Sequence, residues 1–154
     1  MPKDWQNDER LLNSLASHLL EAMSLFPKRL LRVDELIHRF SMPLSQMQIL
    51  AMVGRETLSI GQISAWMGIA KPNITPLVDA LIARGFVRRI RSGSDRRVVH
   101  VEVLEAGREC LRAVREAIAE QVARWPESVT REDVEKMDGS LIDMLSFLNR
   151  TDNG

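Results

Sequence analysis

Apolar residues recur at helical spacing from residue 8 to about 38: Leu11, Leu12, Leu15, Leu19, Ala22, Met23, Phe26, Leu30, Val33 and Ile37. The pattern predicts a long amphipathic helix that Asn7 or Asp8 can cap. Pro27 kinks or splits it, because proline removes a backbone donor. So long a stripe has few partners in a small domain, which suggests burial against another helix, including one from a second copy of the chain. A shorter helix follows, capped by Ser45 and carrying Met47, Ile49, Leu50 and Val53, and residues 54–58 break it.

Ser59-Ile60-Gly61-Gln62 has the pattern of a capping box, with the serine hydroxyl serving the glutamine amide while the glutamine side chain reaches back. The helix it opens reaches Met67, and Gly68 suits the left-handed position just past the end. A second helix carries Leu77, Val78, Leu81 and Ile82 and ends at Gly85. Its prolines constrain its start. With Asn73 as N-cap, Pro76 is the third helical residue, where a missing N–H costs no intrahelical bond, so this start is preferred to one at Pro72.

Residues 86–91 and 97–103 read as two strands around the turn Ser92-Gly93-Ser94-Asp95-Arg96. In the second strand Val99, Val101 and Val103 share one face. Past Leu104, a helix carries Leu111, Val114, Ile118, Val122 and Trp125, and Pro126 ends it. Thr130-Arg131-Glu132-Asp133 opens the last helix, with Val134, Met137, Leu141, Leu145 and Leu148 as its stripe. The fold class expected is mainly α with a small β component. A lobe at 42–103 is flanked by helical regions at 1–41 and 104–154.

Composition adds exclusions. The 154 residues are 45% hydrophobic and 27% charged, which is ordinary globular usage. Uncharged runs are too short and polar to cross a bilayer, and the first residues contain no apolar signal segment, so a soluble cytoplasmic protein is expected. One cysteine, Cys110, excludes an intrachain disulfide or an all-cysteine metal site. Cys110 reads as a structural thiol rather than a redox sensor. Glu21 with His18 and Glu35 with His38 are half metal sites at best, and no nucleophile–base pair or phosphate loop is visible. No cofactor, metal or catalytic residue is expected.

The formal charge is zero, yet residues 71–97 hold seven basic against two acidic side chains. A cationic middle between acidic ends suits a polyanion. Two short helices and a basic hairpin, in that order, form a helix-turn-helix with a wing. A major groove admits one helix, whose first turn meets base edges. That turn offers Asn73 and Thr75, with Lys71 just before. Arg96 and Arg97 at the hairpin tip suit phosphates or a narrow minor groove, while Arg88, Arg89 and Arg91 lie on its first strand. Asp95 fits there by orienting a neighbouring arginine.

The runs Leu58 through Ser64, Lys71 through Leu81 and Arg84-Gly85-Phe86-Val87-Arg88-Arg89 resemble the MarR family of bacterial transcription regulators. So does Asp95-Arg96-Arg97 leading through a strand to Glu105-Ala106-Gly107. The resemblance implies a homodimer interlocked by its terminal helices, with recognition helices in successive major grooves of a pseudo-palindromic duplex and wings at the minor groove. On this sequence it implies that the turn with Lys71, Pro72, Asn73, Thr75 and Pro76 meets bases. The wing would use Arg88, Arg89, Arg91, Ser94, Arg96 and Arg97, with Asp95 bracing Arg97. Some members bind small aromatic anions between the dimer base and the lobe; His38, Arg39, Phe40 and Trp66 are the candidates for such an effector pocket. Three features depart from the pattern: Leu104 where a capping Ser or Thr is common, Trp66 at a usually polar position, and Pro76 at the helix entrance. The expectation is a homodimeric, cytoplasmic repressor. Its alternatives are a winged-helix adaptor that binds protein, or a nucleoid-type binder of low specificity.

Overall fold

The computed structural model describes residues 4–151, so the limits expected at 1 and 154 lie outside the described residues. The chain runs α1 (Glu9–Leu25), α2 (Val33–Phe40), α3 (Leu44–Val53), β1 (Leu58–Ser59), α4 (Ile60–Met67), α5 (Lys71–Ala83), β2 (Val87–Arg91), β3 (Val99–Val103), α6 (Glu105–Ala123) and α7 (Arg131–Thr151). The long N-terminal stripe is split as Pro27 requires. Asp8 caps α1 by accepting from the Leu11 amide at 2.9 Å. The residues Phe26–Leu30 then form one wide π turn, and extended Leu31 separates it from α2.

Three sequence expectations need correction. Pro43, not Ser45, is the N-cap of α3, with extended backbone and no side-chain bond to the helix. The sheet has three strands, antiparallel in the order β1-β3-β2. The two-residue β1 is too short to show alternation and exists because Leu58 pairs with Val101. The second helix of the pair, α5, starts at Lys71 rather than after Asn73, with Ala70 as N-cap and Pro72 in the first turn. There a missing N–H costs nothing, since the first amides of any helix lack intrahelical partners. Pro76 therefore lies inside α5 and leaves the Pro72 carbonyl without its i+4 donor.

The capping box at Ser59 is present in both directions: the Gln62 amide donates to Ser59 Oγ at 3.1 Å and the Ser59 amide to Gln62 Oε1 at 2.8 Å. Gly68 takes the left-handed position at φ 62°, ending α4 and turning the chain toward α5. Leu104 opens α6 without a side-chain cap. At α7, Thr130 and Asp133 form the reciprocal cap, and Thr130's backbone N–H and hydroxyl hold the Asp133 carboxyl below its ordinary value.

The core lies in the lobe. Ile49, Leu50, Ile63, Ile74, Val78, Leu81 and Val101 are wholly buried, and Leu111, Val114 and Ala117 of α6 close over them. Neither α1 nor α7 contains a buried residue. Among the described residues Gln121 is the only buried polar side chain. Its amide makes a pair of hydrogen bonds to the backbone of Arg32, accepting from the N–H at 2.9 Å and donating to the carbonyl at 3.1 Å. The clamp fastens the joint between α1 and α2 onto α6.

Candidate nucleic-acid interface

The first turn of α5 stands on the surface because Ile74, Val78 and Leu81 anchor the opposite side of the helix in the core. Lys71, Pro72, Asn73, Thr75 and Pro76 are exposed. The Thr75 hydroxyl donates back to the Lys71 carbonyl at 3.3 Å, leaving its methyl group and lone pairs facing outward. Gly61 lies beside the Lys71 stem: a Cβ there would stand in ordinary contact, 3.4 Å from Cε and 3.5 Å from Nζ. Lys71 thus stands exposed at the start of α5 with its stem beside the first turn of α4.

The hairpin divides its arginines. Arg88 Nε donates to Glu102 at 2.6 Å across the β2–β3 pair, and Arg89 reaches Asp79 on α5 at 2.5 Å. Both are exposed ion pairs that neutralise the base of the wing. Arg91, Arg96 and Arg97 are exposed and have no carboxylate within 4.0 Å among the described residues. Asp95 braces Arg97 through the backbone, accepting from its amide at 2.9 Å, while the Ser92 amide donates to the Val98 carbonyl at 3.2 Å to close the loop. Ser94 shares a 3.0 Å hydroxyl bond with Ser92. The tip is held by its own backbone, and its guanidinium groups face outward. Sequence reasoning missed the partners of Arg88 and Arg89. Strand register reveals the first, whereas the second depends on how α5 packs on the sheet.

The four candidate pocket residues are not brought together in one cavity. Arg39 donates to Glu120 at 2.6 Å, which holds that carboxyl below its ordinary value and satisfies the guanidinium. His38 is exposed, and Phe40 packs half-buried against the core. Trp66 is half exposed at 51% and borders a small cavity with Met52, Arg55 and Asn149. A larger cavity of about 490 Å³ lies elsewhere, between the end of α1 and the start of α7, where Phe26, Trp125, Val129 and Met137 form apolar walls beside Arg29. Its residues read in sequence only as stripe positions.

Cys110 is half-buried, and burial pushes its thiol up against a weaker opposing pull from Arg84. Among the described residues no three His, Cys, Asp or Glu side chains gather to hold a metal ion, and no helix is long and apolar enough to cross a membrane.

A family model described as MarR family matches residues 40–98, which span the start of the lobe through the wing. The transcriptional repressor MprA of Escherichia coli K12 is 28% identical over 114 residues, covering 73% of this chain and 62% of that protein. The chain therefore spans less than two thirds of that relative's length. Among solved structures, a MarR family protein from Bacillus stearothermophilus matches with a TM-score of 0.70 at 25% identity, covering 92% of this chain and 97% of that one. The S. aureus MepR–DNA complex shares the fold at a TM-score of 0.55 and 19% identity, over 85% of this chain and 98% of that one.

Proposed function

Because the chain belongs to the MarR family of winged-helix transcriptional regulators, we propose that it is a homodimeric, cytoplasmic repressor of pseudo-palindromic duplex DNA. The first turn of α5 reads base edges through Asn73 and Thr75, with Lys71 on a phosphate. Arg91, Arg96 and Arg97 carry the wing to phosphates or the minor groove. One observation carries this reading: the arginines at the hairpin tip are unpaired while those at its base are neutralised. Free guanidinium groups at the outer end of a rigid hairpin suit a polyanion beyond the protein surface.

The dimer is supported by the apolar faces of α1 and α7, which remain exposed at Leu15, Leu19, Met23, Ile142, Leu145 and Phe147. A second copy would cover them and place two recognition turns about 10 bp apart, one helical repeat of duplex. A small aromatic anion is the effector class this reading expects, and the cavity beside Arg29 is favoured for it over His38, Arg39, Phe40 and Trp66, which share no cavity within one chain. It would bias the spacing of the two lobes toward whichever it binds better.

Fluorescence anisotropy across several salt concentrations tests the proposal, comparing the duplex upstream of the protein's own gene with a scrambled one. The expected result is a preference for the upstream duplex, saturating at two chains. Asn73→Ala should cost roughly 1–3 kcal/mol on the specific duplex and little on the scrambled one. Equal, steeply salt-dependent binding to both duplexes would replace the repressor with a binder of low specificity. Binding to neither would point to a protein partner.

A further inference from the structure

On the far side of the lobe, the C-terminal end of α3 and the first half of α6 enclose a cleft of about 430 Å³. Gly54 and Leu111 form its floor. A Cβ on Gly54 would collide with the Leu111 side chain, so the two helices approach as closely as a glycine allows. Four arginines line the cleft: Arg55 from the turn just past α3, and Arg108, Arg112 and Arg115 from α6. The last three stand at i, i+4 and i+7, one stripe with charges about 6 and 10 Å along the helix axis.

Such a stripe ordinarily pairs with carboxylates on its own helix, and α7 does so. Arg131 meets Glu135 at 2.7 Å and Lys136 meets Glu132 at 2.8 Å, both at i,i+4 spacing. On α6 the same spacing is present and unused. Arg112 has Glu116 at i+4 and Glu109 at i−3, yet makes no ion pair with either within 4.0 Å. Arg108 reaches Glu105 only at 3.8 Å, and Arg55 and Arg115 have no carboxylate within 4.0 Å among the described residues. Like charges are thus gathered around a cavity of small-molecule size without local neutralisation, an arrangement that an anion relieves.

We infer that this cleft is a binding site for a small polyanion carrying two or more phosphate or carboxylate groups. One group would sit between Arg55 and Arg112 in the bidentate geometry guanidinium favours, and a second further along the Arg108–Arg115 stripe. Duplex DNA is the less favoured occupant because of position. Gly107, beside Arg108, lies against the Phe86 carbonyl at the far end of α5, about 20 Å along that helix from Lys71.

The test is isothermal titration of the full chain at low salt with pyrophosphate, tricarballylate and inorganic phosphate. Arg112→Gln with Arg115→Gln is compared with Arg96→Gln with Arg97→Gln, and Arg55→Gln alone probes the opposite wall, just past α3. All five side chains are exposed, and thermal melts check that the variants fold. Pyrophosphate or tricarballylate should bind at one per chain and more tightly than inorganic phosphate. Which of the two binds better identifies the headgroup chemistry. The cleft variants should weaken binding about tenfold or more and the wing variant should leave it unchanged. Loss in the wing variant alone, or no binding of any probe to the unmodified chain, would overturn the inference. So would a cleft variant that weakens duplex binding while no small anion binds.

Discussion

Ile74, Val78 and Leu81 on α5 and Leu15, Leu19 and Met23 on α1 are spaced alike, three or four residues apart. The first three are wholly buried, while the second three are 52%, 60% and 69% exposed. The lobe supplies a sheet and three further helices to cover its apolar positions, whereas α1 and α7 have stripes of the same kind and no buried residue. Periodicity thus identifies an apolar face without saying what will cover it. The lobe is a core in the usual sense, and the terminal helices carry apolar faces that nothing in their own chain covers.

That contrast breaks or holds most visibly in stability. Leu81→Ala should cost about 2–5 kcal/mol at any protein concentration, measured by urea unfolding. Leu19→Ala should cost less than about 0.5 kcal/mol in dilute protein and more as concentration rises. Equal, concentration-independent losses would mean that α1 is packed within its own chain. Replacing Leu19 and Leu145 together by lysine should convert a dimer to a monomer in sedimentation velocity and leave the lobe's melting intact. Gln121→Leu comes next, at about 1–3 kcal/mol, because it leaves the Arg32 backbone N–H without its partner and the Arg32 carbonyl with only the 3.4 Å bond from the Leu36 amide.

The wing offers a finer version of the same contrast between partnered and unpartnered groups. Arg97→Ala should reduce the salt dependence of DNA binding by about one phosphate's worth, a log–log slope change near 0.9, while Arg88→Ala should reduce it less. Equal changes would show that the Glu102 pair opens on DNA. The smallest expected effect concerns Cys110, whose thiol burial holds above its ordinary value. At neutral pH it should react with iodoacetamide more slowly than a free cysteine, with the rate rising into the alkaline range. Alkylation as fast as the free amino acid would mean that the site opens readily.

Much of this was legible because local chemistry decides it. The capping boxes at Ser59 and Thr130, the left-handed Gly68 and the break near Pro27 each follow from residues within one or two turns. The start of α5 differs from the expected one because Pro76 stands inside the helix, where an exposed early turn tolerates the lost bond. The strand β1 and the Arg89–Asp79 pair depend on packing between distant segments, to which no local pattern points. The pocket candidates lie apart within one chain, Arg39 paired with Glu120 across the α2–α6 contact and Trp66 beside a different cavity, an arrangement that depends on packing between distant segments.

The Gln121 amide grips Arg32 where α1 gives way to α2, and it does so with two parallel bonds rather than one. A single bond permits rotation about its axis, while a pair does not, so the joint behaves as a bracket instead of a pin. The stiffness matters in proportion to length: α1 has 17 residues, about 25 Å, and a tilt of about 10° at its root would displace its tip by roughly 4 Å. Two such arms mated across a dyad would convert slack at one side chain into misregistry between half-sites. In a dimer built on these arms, the reach along a duplex would be calibrated, in part, by one carboxamide far from any nucleotide.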